Sequence, residues 1–234
     1  MTPVVVTGPP RANLSTVDEL AALGVATAHE AMGRAGYLGS ALRPVQQGVR
    51  VGGTAVTALC APGDNLMIHA AVEQCAAGDL LVVATTSPST DGFFGELLAT
   101  ALRVRGVRGL VTGTGVRDVA ELRAMGFPVW SAAVSAQGTV KATAGAVNVP
   151  VVLGGQPVGP GDAVLADDDG VLCVPRRQVA AVLDAARSRV AKEEAARAAF
   201  VAGELGLDRY GLRERLAGLG VRYLTAEQYA AEVQ

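Results

Sequence analysis

The chain has 234 residues, of which 50% are hydrophobic and 18% are charged, and its formal net charge at pH 7 is −2. This length and composition predict a globular protein with one substantial core and exclude a disordered chain. The balanced charge, with no basic stripe, argues against nucleic-acid binding, and no apolar run approaches the roughly 20 residues of a membrane span.

The N-terminus has no basic segment followed by a long apolar core, so no secretory signal is predicted. The three cysteines, Cys60, Cys75 and Cys173, have no paired spacing. They are typical of buried, reduced thiols, which predicts a cytoplasmic protein. With only His29 and His69 as histidines, no zinc site is expected.

The first third of the chain alternates helical and strand patterns. A capping-box spacing over Thr16–Glu19 predicts a helix that ends at Gly24. The further predicted elements are a short helix over Thr27–Gly33, a strand over Gly52–Leu59 and an apolar helix start over Leu66–Val72. His69, on this last helix, is predicted to pack in the core.

The central stretch contains the main candidate site. Leu80–Ala84 is a continuous apolar run typical of a strand buried on both faces, and a loop follows up to Phe94. Gly95 precedes a helical pattern that contains Leu97 and Leu98, after which Gly109–Val111 is predicted as a strand and Gly113–Gly115 as a turn. A helix and a returning strand bring Glu96, Arg117 and Asp118 towards one cleft.

These three side chains suit a particular chemistry. The Asp118 carboxylate suits a hard divalent cation, and the planar fork of Arg117 suits a carboxylate or a developing enolate oxygen. Glu96 could hold waters of the cation in position. The alternative interpretation is a surface ion pair at the end of a strand.

The second half predicts further strands and a long helix. Phe127–Trp130 is a predicted strand, Val134–Val147 a strand or loop, and the segments on either side of Asp167–Gly170 a hairpin. The three aspartates of that hairpin are better explained by a turn than by a metal site. Gln178–Phe200 predicts a long amphipathic helix. We therefore predict a mixed α/β fold, with residues 1–234 as a single domain and a helical tail from about 178.

A resemblance to a known family is carried by many short motifs in order. They are Ala26–Ala31, Pro62–Asn65, Gly95–Leu98, Arg103–Gly109, Val116–Val119, Gly126–Trp130, Ser135–Lys141, Asn148–Val151, Asp167–Val171 and Gly203–Gly211. Together they make the chain resemble the class II pyruvate aldolases that cleave 4-hydroxy-4-methyl-2-oxoglutarate and 4-carboxy-4-hydroxy-2-oxoadipate in aromatic-compound catabolism.

The resemblance implies the swivelling β/β/α fold and homotrimers or homohexamers with sites at subunit interfaces. It implies that Asp118 ligates Mg²⁺ or Mn²⁺, or another divalent metal, while Glu96 orients a water on the metal. Arg117 would bind the pyruvyl oxygen, and backbone N–H groups near Gly95, Leu97 and Leu98 the pyruvyl carboxylate. Glu30, and with it Glu193, would come from a neighbouring subunit.

The implied reaction releases pyruvate from a small 4-hydroxy-2-oxo acid, with oxaloacetate decarboxylation as a side activity. Two positions depart from the family pattern: Glu96 stands where many aldolases have Asp, and Gly113 where many relatives have Asp. The alternative is a non-catalytic protein-binding protein like the regulator of ribonuclease activity A, which the chain also resembles. A Schiff-base mechanism is disfavoured because neither Lys141 nor Lys192 lies in the central stretch.

Overall fold

The structure is a computed structural model that describes residues 2–233. The described helices are α1 (Leu14–Ala22), α2 (Val25–Ala31), α3 (Leu66–Gln74), α4 (Glu96–Val104), α5 (Val119–Ala124), α6 (Val179–Val201), α7 (Gly206–Arg209), α8 (Leu212–Gly218) and α9 (Ala226–Glu232). The described strands are β1 (Val4–Val5), β2 (Arg43–Pro44), β3 (Val51–Cys60), β4 (Asp79–Thr85), β5 (Gly92–Phe94), β6 (Gly109–Val116), β7 (Val129–Val134), β8 (Ala146–Val147), β9 (Val151–Leu153), β10 (Gln156–Val158), β11 (Ala163–Asp167) and β12 (Gly170–Val174).

A mixed sheet organises the chain. Strands β3, β4, β6 and β7 are neighbours in that order and run parallel, while β11 and β8 pair with β3 in the antiparallel sense. The run from Leu80 to Ala84 lies in β4 and is buried throughout, which confirms the prediction of a strand covered on both faces. The mixed α/β fold class is therefore confirmed.

The first helix begins earlier than its capping-box spacing predicts. Asn13 is the N-cap of α1, and its side-chain oxygen accepts a hydrogen bond from the Thr16 backbone N–H at 3.1 Å. The prediction of a cap at Thr16 is wrong, because Thr16 lies within α1 and its backbone N–H is capped by Asn13. Asparagine is a strong N-cap residue.

The predicted turn over Gly113–Gly115 is also wrong, since both glycines lie within β6. Glycine at these two positions lets other segments pack closely against β6. A Cβ on Gly115 would lie 2.1 Å from the Thr90 carbonyl oxygen, and one on Gly113 would lie 2.6 Å from Leu153 Cδ1. A β6 register shift relative to β7 lies in the same stretch.

The acidic hairpin is structural, as the turn interpretation predicts. Asp167 is buried, and its carboxylate accepts hydrogen bonds from the backbone N–H groups of Asp169 at 3.0 Å and Val25 at 2.9 Å. It thereby closes the β11–β12 turn and holds the start of α2. The three cysteines are all buried, and burial raises the pKa of each thiol to about 12, so they are protonated at neutral pH.

The chain forms two compact units, Met1–Arg189 and Val190–Gln234. The first contains every described strand. The second is helical, and its helices α7, α8 and α9 contain no buried side chain. The predicted long helix is observed as α6. Within residues 2–233, no helix is long and apolar enough to cross a membrane.

Candidate active site at the end of β6

A cleft of about 190 Å³ opens where β6 ends and α4 begins. Arg117 and Asp118 follow β6 directly, and β5 runs parallel to β6 and leads into α4. The cleft is lined by Asn65, His69, Gly92, Phe93, Phe94, Gly95, Leu97, Leu98, Arg117, Asp118, Thr139 and Lys141. Arg117 and Asp118 thus share one cleft, as the central stretch predicts, whereas Glu96 is not among the lining residues. Gly95, Leu97 and Leu98, which the resemblance implies, line the same cleft.

Asp118 is fixed by its own backbone and by α4. It has φ 54° and ψ 42°, a left-handed conformation that an ordinary residue adopts only at a cost of about 1–3 kcal/mol. Its Oδ2 accepts a hydrogen bond from the Glu96 backbone N–H at 3.1 Å. A Cβ at position 95 would lie 2.2 Å from that oxygen, so Gly95 is required for the carboxylate to approach the helix.

Arg117 lies beside the same carboxylate oxygen. Its backbone N–H donates to the Phe94 carbonyl oxygen at 2.9 Å, which joins the strand exit to β5. Its Nε lies 3.6 Å from Asp118 Oδ2, and its side chain is 49% exposed. The pair is a loose one, so the guanidinium retains donors for a bound anion.

The first turn of α4 offers further donors. An α-helix leaves its first N–H groups without intrahelical acceptors, and the helix dipole favours an anion at this end. Glu96 donates to Asp118, whereas Leu97 and Leu98 follow in the same turn and line the cleft. Their N–H groups suit a carboxylate, as the resemblance implies.

The carboxylates of Glu96 and Glu30 do not line this cleft in the described chain. Glu96 accepts a hydrogen bond from Thr100 Oγ1 at 2.9 Å, along α4. Glu30 pairs with Arg34 at 3.0 Å and Arg189 at 3.6 Å, and the Arg34 hydrogen bond holds the pKa of Glu30 below its ordinary value. Their catalytic roles stay predictions, as does the contribution of Glu193, which belongs to the second unit.

Seven cleft residues were not among the predicted site residues: Asn65, His69, Gly92, Phe93, Phe94, Thr139 and Lys141. The prediction that His69 packs in the core is wrong, because its side chain is exposed on α3. Helical spacing did place His69 one position beyond the buried Met67 and Ile68, which was a signal for an outward direction. Thr139 and Lys141 come from an irregular segment that periodicity does not describe.

Asn65 contains an unpartnered buried acceptor. Its Nδ2 donates to the Phe93 carbonyl oxygen at 2.8 Å, which fixes the amide orientation because a carbonyl only accepts. Its Oδ1 is buried without a hydrogen-bond partner. Asn65 is also the N-cap of α3 but makes no side-chain capping bond.

The donor set fits a hard divalent cation that keeps most of its waters. Asp118 supplies a carboxylate, and Asn65, whose buried Oδ1 has no hydrogen-bond partner, is a lining residue of the same cleft. Among residues 2–233 there is no group of three or more His, Cys, Asp or Glu side chains arranged to hold a metal. Mg²⁺ and Mn²⁺ accept such sparse oxygen ligation, whereas zinc prefers a fuller set of nitrogen and sulfur ligands.

The mixed α/β fold with a parallel-centred sheet is shared with a family whose model covers most of the chain. The profile of the RraA-like family, described as Aldolase/RraA, matches residues 22–173. The chain belongs to this family.

Two curated relatives carry the provisional name 4-hydroxy-4-methyl-2-oxoglutarate aldolase. The chain is 31% identical to the one from Halalkalibacterium halodurans over 158 residues, which cover 68% of this chain and 75% of that protein. It is 37% identical to the one from Burkholderia multivorans over 148 residues, which cover 62% of this chain and 90% of that protein.

Solved structures of ribonuclease inhibitors are similar as well. Streptomyces coelicolor RraAS2, a member of the RNase ES inhibitor RraA family, superposes with a TM-score of 0.73 at 29% identity, covering 81% of this chain and 99% of that one. The RNA-processing inhibitor RraA from Thermus thermophilis has a TM-score of 0.54 at 29% identity and covers 58% of this chain and 82% of that one. The relatives therefore include both proteins named as enzymes and proteins named as inhibitors.

Proposed function

We propose that the protein is a divalent-metal-dependent aldolase that cleaves 4-carboxy-4-hydroxy-2-oxoadipate, 4-hydroxy-4-methyl-2-oxoglutarate or both, releasing pyruvate. The aldolase names of the two curated relatives support a lyase. We propose that this reaction serves aromatic-compound catabolism in the cytoplasm.

One observation supports this proposal above the others. The Asp118 backbone is left-handed, its carboxylate accepts a hydrogen bond from the Glu96 N–H in the first turn of α4, and the Arg117 fork lies beside that carboxylate. A surface ion pair requires neither the strained backbone nor a glycine at position 95. Strain of this kind is concentrated at functional sites.

The chain's own groups then have distinct tasks in the reaction. The N–H groups of Leu97 and Leu98 bind the pyruvyl carboxylate, and Arg117 binds the 2-oxo oxygen. As a water molecule acting as base takes the proton of the 4-hydroxyl, the C3–C4 electron pair moves to the pyruvyl half, and C4 becomes the carbonyl carbon of the second product. Arg117 stabilises the resulting enolate oxygen, and a proton added at C3 completes pyruvate.

Asp118 would hold a divalent cation, which would supply Lewis acidity at the 2-oxo group. Arg117 and the α4 N–H groups orient the same half of the substrate whether C4 leaves as a carbonyl or a carboxyl group leaves as CO₂. Decarboxylation of oxaloacetate is therefore proposed as a side activity.

We also propose a homotrimer or homohexamer in which Glu30 and Glu193 reach a neighbouring subunit's cleft. The motivation is that Glu30 does not line the cleft of its own chain.

The decisive assay is pyruvate formation from both aldols, with Mg²⁺ or Mn²⁺ and after chelation. We expect pyruvate release that chelator abolishes and added metal restores. Full activity in a metal-free preparation would contradict the mechanism.

A second candidate function is protein binding without catalysis. It is supported by the likeness to RraAS2 and to the Thermus inhibitor. The assay separates the two, because a regulator forms no pyruvate from either aldol or from oxaloacetate yet slows RNA cleavage by an RNase E-type ribonuclease.

A further inference from the structure

Lys141 lies on an irregular segment at the cleft, the cleft loop of residues 135–145. The loop lies between β7 and β8, and the exposed Lys141 side chain lines the cleft together with Arg117 and Asp118. It is close enough to His69 for its charge to lower the pKa of that imidazole. Lys141 therefore belongs to the cleft although it is distant from the central stretch in sequence.

The cleft has an excess of positive charge. Its lining contains two basic side chains, those of Arg117 and Lys141, against the single carboxylate of Asp118. Burial first, and then Lys141, hold the pKa of His69 below its ordinary value, so the imidazole is neutral at pH 7. A bound cation would add to this excess, which suits a substrate with several carboxylates.

The position of Lys141 is determined by a buried carboxylate behind it. Asp64 is 2% exposed, and its Oδ2 accepts hydrogen bonds from the backbone N–H groups of Ala142 at 2.7 Å and Thr143 at 2.6 Å. Its Oδ1 accepts one from the Leu66 N–H at 2.9 Å, at the start of α3. Through these hydrogen bonds, Asp64 connects the two residues that follow Lys141 to the start of α3, the helix that contains His69.

The residue before Lys141 is fastened to the same turn. The Val140 N–H donates to the Gly63 carbonyl oxygen at 2.9 Å, and the Val140 carbonyl oxygen accepts from the Asn65 N–H at 3.0 Å. Lys141 is thus held on both sides by the turn of residues 63–66. The loop's side chains are mostly exposed, so these backbone contacts, rather than a packed core, set its course.

We propose that Lys141 binds a carboxylate on the C4 side of the substrate and that Asp64 is the positioning residue that holds Lys141 there. This inference rests on the proposed aldolase function and adds to it the selection of polyanionic substrates. In the proposed function the α4 N–H groups bind the pyruvyl carboxylate and Arg117 binds the 2-oxo group. Lys141 is then the remaining basic side chain of the cleft lining that can bind the other carboxylates. Asp64 is buried and does not line the cleft, so it acts through the loop.

The test compares three reactions whose substrates carry progressively fewer carboxylates on the C4 side. They are cleavage of 4-carboxy-4-hydroxy-2-oxoadipate, cleavage of 4-hydroxy-4-methyl-2-oxoglutarate, and exchange of the pyruvate methyl protons with D₂O. Lys141→Gln should lower kcat/KM for the tricarboxylate roughly ten- to hundredfold, mainly through KM, because a hydrogen bond to a charged group is lost. The loss should be smaller for the dicarboxylate and less than about twofold for pyruvate exchange, with Lys141→Arg recovering most of it.

Asp64→Asn should show the same order of losses, and in a Lys141→Gln background it should add little to the selectivity change, since it acts through that lysine. Equal losses in all three reactions, or none, would overturn the role of Lys141. A selectivity change by Asp64→Asn that persists in full without Lys141 would overturn the positioning role. A wild-type protein that exchanges pyruvate protons but cleaves neither aldol would overturn the proposed function itself, and this inference with it.

Discussion

The Asp118 carboxylate accepts a hydrogen bond from the Glu96 backbone N–H across 22 positions of sequence, at 3.1 Å. This contact joins the end of β6 to the first residue of α4. One N–H group of the helix N-terminus thereby fixes the candidate metal ligand, and the next two residues of that turn, Leu97 and Leu98, line the cleft.

Gly95→Ala should break the hydrogen bond between Asp118 and the Glu96 N–H and so test what this contact contributes to activity. The added methyl would meet Asp118 Oδ2 at 2.2 Å, so the carboxylate must leave the Glu96 N–H. We expect weaker metal activation and a fall in kcat/KM of about 10²-fold, comparable to a lost preorganised donor. The measurement is turnover against Mn²⁺ concentration.

Gly138→Ala is the matched control for that change. Its added methyl would lie 3.6 Å from Nη1 of Arg117, a residue that lines the cleft, and this is an ordinary contact distance. Activity within about twofold of wild type is expected, since such a contact costs little. If both alanine variants lose activity equally, the close approach at Gly95 does not explain the loss.

Parts of the cleft that depend on local pattern and chain order can be predicted from the sequence. Parts that depend on contacts with segments distant in the chain cannot. Buried β4 is visible as an apolar run, and the Arg117-Asp118 pair follows a strand. The β6 glycines look like a turn because the requirement for close approach comes from Thr90 and Leu153, which are distant in sequence. Lys141 is missed for a similar reason, because Asp64 holds its irregular loop by backbone N–H groups that have no sequence signature.

Arg117→Lys and Asp118→Asn should fail in different ways. Lysine keeps the charge of Arg117 but loses the planar fork, so turnover should fall about 10²–10³-fold while metal affinity changes little. Asn at position 118 keeps an acceptor for the Glu96 N–H but removes the anionic ligand, so metal affinity should fall first. Titrating Mn²⁺ against turnover measures both effects.

Excess Mn²⁺ should partly rescue Asp118→Asn and leave Arg117→Lys unimproved. Near-normal turnover of Arg117→Lys on both aldols would show that Arg117 does not stabilise the enolate, and the pair would then be structural.

Subunit exchange tests whether Glu30 serves a neighbour. Glu30→Ala and Asp118→Ala proteins should each be nearly inactive. After exchange of an equal mixture, about one quarter of the sites should combine an intact Asp118 with an intact Glu30 from the next subunit. Pyruvate release by the mixture, before and after exchange, is the measurement.

The control mixes Arg117→Ala with Asp118→Ala. Both residues line one cleft of one chain, so exchange should restore nothing. Absence of recovery in the Glu30 mixture as well would show that Glu30 acts within its own chain or has no part in catalysis.

Asp64 should make stability sensitive to acid. Burial opposes its ionisation, but the N–H groups of Leu66, Ala142 and Thr143 outweigh burial and hold its pKa below the ordinary value of 3.8. Because the folded pKa is the lower one, Asp64 contributes its full stability above the unfolded pKa, and that stability is lost as the pH falls through the folded pKa.

Asp64→Asn should therefore lower the free energy of unfolding at pH 7 by about 2–3 kcal/mol, the scale of hydrogen bonds to a buried charged group. The difference from wild type should shrink as the pH falls below about 4, because the wild-type carboxyl then becomes neutral too. Urea unfolding between pH 7 and pH 3 measures it, with Asp184→Asn as control, since Asp184 is 79% exposed in a loose pair with Arg187 and should change stability little. A difference for Asp64→Asn that stays constant over the whole pH range would mean that the ionised carboxylate does not hold the cleft loop to α3.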